Sequence, residues 1–146
     1  MQTPATYEDA NLLLKLYDMR REEKLRLARE WFTRNFHCAS MEEFNKVCPP
    51  ASQENAYARQ VITYWEMVAS FITSGVLNEQ LFFQSGMELL LVWVRLQALV
   101  PEMRKVNKNP STWKNLELVA TKYIQHLNSV DAEIYPAFSA RVGGMR

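Results

Sequence analysis

The densest run of apolar residues in the chain lies between residues 78 and 100. These residues fall on every side of a 3.6-residue helical repeat rather than on one stripe. A helix that is apolar all round is typically buried on all sides. The pattern therefore predicts a central helix over about residues 78–100, with other helices packed against it. Its apolar positions are Leu81, Phe82, Phe83, Met87, Leu89, Leu90, Leu91, Val92, Trp93, Val94, Leu96, Ala98, Leu99 and Val100.

Two charged residues, Glu88 and Arg95, fall in the middle of this run. A charge near the centre of a spanning helix is costly, so we interpret the run as the core of a bundle and not as a membrane span. The first ten residues also lack the basic segment and the following apolar segment of a secretory signal. We therefore predict a cytoplasmic protein that does not associate with membranes.

Before the central run, the pattern predicts two long helices and one short one. The first begins near Thr6, and residues 12–36 contain no proline or glycine, but residues 18–24 are polar on nearly every side. The helix either crosses an exposed gap there or turns Arg20 or Arg21 inward to a carboxylate. A short helix opens at a capping box at residues 40–43. The third helix has an apolar stripe of Tyr57, Val61, Tyr64, Trp65, Val68, Phe71 and Ile72.

Short connections and prolines set the order of the remaining helices. Gly75 ends the third helix, and Asn78 caps the central one only three residues later, which predicts an antiparallel hairpin. Pro101 is expected to end or kink the central helix. Asn109 and Pro110 are typical of a helix start and predict a fourth principal helix. Pro136 is expected to leave only a short helix or coil after it.

Composition agrees with one all-α domain. Of the 146 residues, 48% are hydrophobic and 12% aromatic, which suffices for one core and disfavours disorder. No alternating apolar pattern is long enough for a strand, so we predict a single compact helical bundle, residues 1–146, of four principal helices plus short ones. The net charge of +1 provides no field for nucleic acid. Cys38 and Cys48 are expected as thiols, with a disulfide as the alternative.

Four polar residues that interrupt apolar faces are the candidates for a binding site. Arg59 and Glu66 lie on one flank of the third helix, and Glu88 and Arg95 on one flank of the central helix. In an antiparallel hairpin the two flanks face each other, so the four side chains could surround a pocket. Alternatively, the arginines neutralise the carboxylates in a closed network that fixes helix register. Either way, we expect Arg59 or Arg95 to pair with Glu88.

Catalytic chemistry finds little support in the sequence. Di-iron bundles use Glu-x-x-His motifs, whereas this chain has none, and its two histidines, His37 and His126, fall at predicted helix ends. Cys38 follows His37, but adjacent helical residues point apart. No phosphate-binding glycine loop or dinucleotide fingerprint occurs. We predict no catalytic residue, no metal and no cofactor.

Several stretches resemble a known family. They are L-Y-D-M-R-R-E-E-K-L-R-L-A-R-E-W-F, N-A-Y-A-R-Q-V-I-T-Y-W-E-M-V-A-S-F-I-T-S-G-V-L-N-E-Q-L-F-F, L-V-W-V-R-L, P-E-M-R-K and N-L-E, and they span residues 16–120. The chain is similar to small all-helical bacterial proteins catalogued as a domain of unknown function. The resemblance implies a fold and a cellular class, and no activity.

These observations favour a non-catalytic interaction or scaffold module. The alternative is a small-molecule-binding protein or enzyme built around the four polar candidates. We expect a homodimer or a protein partner, since an unbroken first helix of about 30 residues would be roughly 45 Å long and too long for one bundle to cover. If the chain instead folds back near Asp18, both halves bury themselves in one monomer.

Overall fold

The computed structural model describes residues 3–143, and the all-α prediction is confirmed. This part of the chain contains helices and no strand. The α-helices are α1 (Tyr7–Arg20), α2 (Glu23–Asn35), α3 (Met41–Val47), α4 (Gln53–Thr73), α5 (Glu79–Phe82), α6 (Met87–Leu96), α7 (Val100–Asn107), α8 (Lys114–Val130) and α9 (Ile134–Gly143), with a 3-10 turn at Gln97–Leu99 between α6 and α7.

The predicted continuous helix over residues 78–100 is wrong. Asn78 caps only the single turn of α5, and the chain leaves the helical path before Gly86. The Phe82 ring occupies the space beside that glycine, where an added Cβ would lie 2.4 Å from the ring. In the turn that follows α5, the Phe83 carbonyl accepts a hydrogen bond from the Tyr123 hydroxyl at 2.8 Å. Pro101 falls in the first turn of α7, where its missing N–H costs nothing.

The first predicted helix is also interrupted. α1 ends at Arg20, and α2 starts at Glu23 after Glu22, whose carboxylate accepts a hydrogen bond from the Leu25 N–H at 3.1 Å. The polar segment is therefore a bend between two helices and not an exposed stretch of one. Arg20 turns inward, as one alternative proposed, but it lies over aromatic rings and not against a carboxylate.

α4 is the longest helix and lies in the middle of the fold. It packs between α2 and α8, while α6 contacts α4, α8 and α9. The residue with the predicted central role, Trp93, is buried at 8% exposure. α1 makes fewer contacts, chiefly with α2 and α5.

The last two helices differ from the predicted boundaries. α8 starts at Lys114 and not at Asn109, since Trp113 before it has a left-handed backbone with φ of 57°. Pro136 lies in the first turn of α9, so the helix continues through it. No helix among residues 3–143 is long and apolar enough to cross a bilayer.

Candidate functional site

The four predicted site residues do not form one cluster. Arg59 is exposed, and its Nε donates to Asn55 on its own helix at 2.8 Å. Glu66 bonds to α8, Glu88 bonds to α2, and Arg95 bonds to the C-terminal end of α2 and to α9. Across residues 3–143, no hydrogen bond or ion pair joins any two of the four. A straight hairpin of two continuous helices would bring the four side chains together, but the break at residues 83–86 removes that geometry.

Glu88 pairs with Arg29 of α2, so the predicted pairing with Arg59 or Arg95 is wrong. The Arg29 Nη2 lies 2.7 Å from one Glu88 oxygen, and the Nε lies 2.9 Å from the other. Both side chains are about a quarter exposed. The hydrogen bond to Glu88 raises the pKa of Arg29 above its ordinary value. This fork-to-fork pair joins α2 to α6.

Arg95 binds the ends of two helices. Its guanidinium donates to the carbonyls of Thr33 at 2.9 Å and Phe36 at 3.0 Å, at the C-terminus of α2, and to Val142 of α9 at 2.6 Å. These carbonyls have no partner within their own helices, and a cation there also complements the helix dipole. The side chain is only 5% exposed, and burial lowers its pKa. Its role is to cap helices in the core.

Glu66 caps the N-terminus of a helix, α8, whereas Arg95 caps C-terminal ends. Its carboxylate accepts from the Leu116 N–H at 2.8 Å and from the Asn115 side chain at 2.7 Å. Next to it, Arg104 of α7 pairs with Glu117 at 3.1 Å. An anion at a helix N-terminus satisfies free N–H groups and complements the dipole. These polar residues lie in the family-like stretches, and their contacts hold helices together.

The described residues offer little for catalysis. Among residues 3–143, no three His, Cys, Asp or Glu side chains are grouped as metal ligands would be. Cys38 and Cys48 are buried free thiols. Burial raises the pKa of Cys38 to about 11 and that of Cys48 to about 12, which disfavours the nucleophilic thiolate.

A different region forms an apolar cavity that the sequence patterns did not predict. This cavity, which we call the α1 groove, has a volume of about 360 Å³ and lies between α1, α4 and the α5–α6 turn. Its lining is almost entirely apolar and consists of Ala10, Leu13, Leu14, Leu16, Tyr17, Arg20, Tyr64, Trp65, Val68, Leu81, Phe82, Ser85 and Gly86.

α1 forms one wall of the groove and is held mainly near its two ends. At the N-terminal end, Asp9 accepts from the Asn78 N–H at 2.8 Å and from the Thr6 N–H at 2.8 Å. Toward the other end, the Tyr64 hydroxyl donates to the Leu16 carbonyl. Between and beside these anchors, Leu14 and Tyr17 remain 66% and 54% exposed. The apolar lining is therefore continuous with the surface.

Arg20 is the charged residue of the groove. Its Cζ lies 4.9 Å from the centre of the Tyr17 ring and 5.4 Å from that of Trp65. Such cation–π contacts hold the guanidinium, and its Nε has no hydrogen-bond acceptor among the described residues. The sequence offered one indication of this arrangement, because Arg20 was one of two arginines expected to turn inward.

A protein-family model described as "Domain of unknown function (DUF4760)" matches residues 5–123. The chain belongs to this family. No curated protein and no solved structure matches it. The DUF4760 match contains the whole α1 groove and most of α8, and it ends before α9. It confirms the resemblance to a family of unknown function, while the expected bacterial origin stays a prediction.

Proposed function

We propose that this DUF4760 protein is a non-catalytic binding module and that the α1 groove is its binding site. The observation that carries the proposal is the groove itself, an apolar cavity of about 360 Å³ open at the edge of α1. Small-molecule sites are typically concave and apolar, with volumes of roughly 300–1,000 Å³ and a few polar groups. The ligand is a small molecule with an apolar body.

The disposition of the polar residues supports a binding role over a catalytic one. Hydrogen bonds join Glu66 and Arg95 to helix ends and Glu88 to Arg29. Glu66 and Arg95 are thus occupied by backbone groups, and Glu88, which lines a second cavity beside α2, is paired there with Arg29. The groove, by contrast, presents apolar surface and one cation.

Binding of a neutral apolar dye, Nile red, tests the proposal. We expect a saturable fluorescence increase with one dye per chain. Leu14→Gln removes apolar surface from the exposed lip of the groove and is expected to weaken binding at least about threefold, while the matched control Leu118→Gln, an exposed leucine of α8, leaves it unchanged. Absence of saturable binding, or equal effects of the two substitutions, would contradict the proposal.

A homodimer remains a second proposal, and one observation favours it. α1 carries exposed large apolar side chains, namely Tyr7, Leu14, Tyr17 and Met19. Exposed apolar patches often mark association sites, and two-fold pairing of like surfaces is the commonest arrangement. The earlier reason, an over-long first helix, no longer applies. Location in the cytoplasm is likewise a proposal, supported by the two free thiols, which a reducing compartment maintains.

A further inference from the structure

Two residues that line the α1 groove, Arg20 and Trp65, each have a buried N–H group that lacks an acceptor. The Nε of Arg20 and the indole Nε1 of Trp65 are both inaccessible to water, and neither has a hydrogen-bond partner among the described residues. Trp65 is only 2% exposed. Buried donors are almost always satisfied in folded proteins, so the surroundings of Arg20 and Trp65 are short of acceptors.

The local charge balance also favours an anion. The Glu88 carboxylate is engaged through both oxygens by Arg29. Arg20 takes part in no ion pair within residues 3–143. The groove therefore has one lining cation, Arg20, that no ion pair among the described residues neutralises.

Partial burial leaves the Arg20 guanidinium with less hydration than a fully exposed position would give it. A partly buried cation without an acceptor loses hydration that only the two aromatic rings replace. A carboxylate is planar and accepts two N–H bonds from a guanidinium, which makes it a strong partner for arginine. The rest of the lining, including Leu13, Leu16 and Phe82, presents apolar surface to whatever is attached to that head group.

We propose that the ligand of the α1 groove is an amphipathic monocarboxylate, with its head group on Arg20 and its hydrocarbon part along the apolar lining. This inference rests on the proposed binding function and adds the charge of the ligand to it. It also assigns Arg20 as the specificity-determining residue, because it is the only charged side chain that lines the groove.

Three ligands of equal chain length test the charge preference directly: decanoate, decanol and decylammonium, each measured by displacement of Nile red below its micellar concentration. We expect decanoate to bind at least about tenfold more tightly than decanol, which corresponds to one charge-assisted contact, and decylammonium to bind most weakly. Decanol binding as tight as decanoate binding, or tighter binding of decylammonium, would overturn the inference. This comparison uses the wild-type protein and needs no variant.

Substitution of Arg20 tests whether this residue causes the preference for decanoate over decanol. Arg20→Gln is expected to remove the decanoate preference, so that decanoate and decanol bind the variant with similar affinity. The matched control is Arg21→Gln, since Arg21 is the next residue, is exposed and does not line the groove. Retention of the decanoate preference in Arg20→Gln overturns the assignment. Arg20→Lys, which keeps the charge, is expected to retain part of the preference and provides a second test if the glutamine variant folds poorly.

The two proposals fail in different ways. If Nile red and decanol bind but decanoate shows no advantage, the binding module stands and the carboxylate inference falls. If no apolar compound binds saturably, the proposed function falls, and the inference falls with it.

Discussion

At the scale of single residues, two arginines on different helices illustrate how burial is compensated. Arg95 is buried, and its guanidinium meets carbonyl groups of α2 and α9. Arg20 lies between aromatic rings, and its Nε has no acceptor within residues 3–143. Since buried donors require acceptors, the first arrangement is typical of a structural residue, and the second is the one to which we assign the proposed ligand head group.

Replacing Arg95 tests its structural role. Arg95→Met keeps much of the side-chain volume but leaves the helix-end carbonyls of Thr33, Phe36 and Val142 without donors, so we expect a loss of about 3 kcal/mol in the free energy of unfolding. Arg59→Met, at an exposed position, is the control and is expected to change stability by less than about 0.5 kcal/mol. Urea unfolding measures both. A cost for Arg95→Met no larger than that of the control would contradict the capping role.

The two thiols provide a second prediction at this scale. With a pKa of about 11, the Cys38 thiol is roughly one part in a thousand thiolate at pH 8, and Cys48, with a pKa of about 12, is less ionised still. We expect Ellman's reagent to react slowly with the native protein and to titrate two thiols per chain after unfolding without reductant. Rapid reaction in the native state would show that burial does not protect them, and fewer than two thiols after unfolding would indicate a disulfide.

At the scale of helices, polar side chains determine how the helices are joined. Asp9 connects the start of α1 to the turn before α5, Arg29 connects α2 to α6, and Glu66 connects α4 to α8. Each contact is made between a side chain and either a helix end or an opposite charge. They are therefore directional links that apolar packing alone would not supply.

Asp9 is expected to make stability depend on pH. Hydrogen bonds from the Thr6 and Asn78 N–H groups hold the pKa of Asp9 below its ordinary value of 3.8. A carboxyl whose pKa is lowered by folding stabilises the folded state above its unfolded pKa, and that contribution disappears as the pH falls through the folded pKa. Asp9→Asn is thus expected to lower the urea midpoint at pH 7, and the difference from wild type is expected to shrink as the pH falls below 3.8.

Asp18→Asn is the matched control for this prediction, since Asp18 lies on the same helix and is exposed. Its difference from wild type is expected to be small at every pH. A gap for Asp9→Asn that stays constant from neutral to acid pH would show that the carboxylate charge is not what stabilises the contact.

The link between α2 and α6 predicts a coupling between Arg29 and Glu88. Each single substitution leaves the charge of the other residue partly buried and unpaired. The double substitution is therefore expected to cost less stability than the sum of Arg29→Met and Glu88→Met. We expect a coupling energy of about 1–3 kcal/mol in a double-mutant cycle. The control cycle of Arg59→Met with Glu88→Met is expected to show no coupling. Equal values from the two cycles would reject the Arg29–Glu88 link.

At the scale of the whole molecule, the fold has a well-packed body and one less embedded helix. α4 is covered by α2 and α8, whereas α1 has few contacts and exposes apolar side chains on its outer side. The same helix forms one wall of the groove. The surface available for a ligand and the surface available for a second protomer therefore meet on α1.

Molar mass in solution tests the dimer. Light scattering at micromolar concentration is expected to give about twice the chain mass of 17.1 kDa. Leu14→Gln is expected to shift the mass toward that of one chain, while Leu118→Gln, on α8, does not. A wild-type mass near that of one chain rejects the homodimer and leaves the groove proposal standing.

The sequence was sufficient for the class of fold and for the buried faces of several helices. Local sequence patterns identified α4, its end near Gly75 and the burial of Trp93, because these features depend on residues close together in the chain. It also identified the start of α1 from its capping hydroxyl at Thr6. Local patterns determine local structure well, since the interactions that form a helical turn span only a few residues.

Tertiary structure alone decided which polar residues meet. The Phe82 ring packed beside Gly86 interrupts the apolar run, and this break changes the direction in which Glu88 and Arg95 point. A hydrophobic pattern records that a position is buried but not against which partner, so Arg29 and the helix-end carbonyls could not be identified in advance. The groove arises in the same way, because it is the space left between α1 and α4, and its volume depends on how helices distant in sequence pack together.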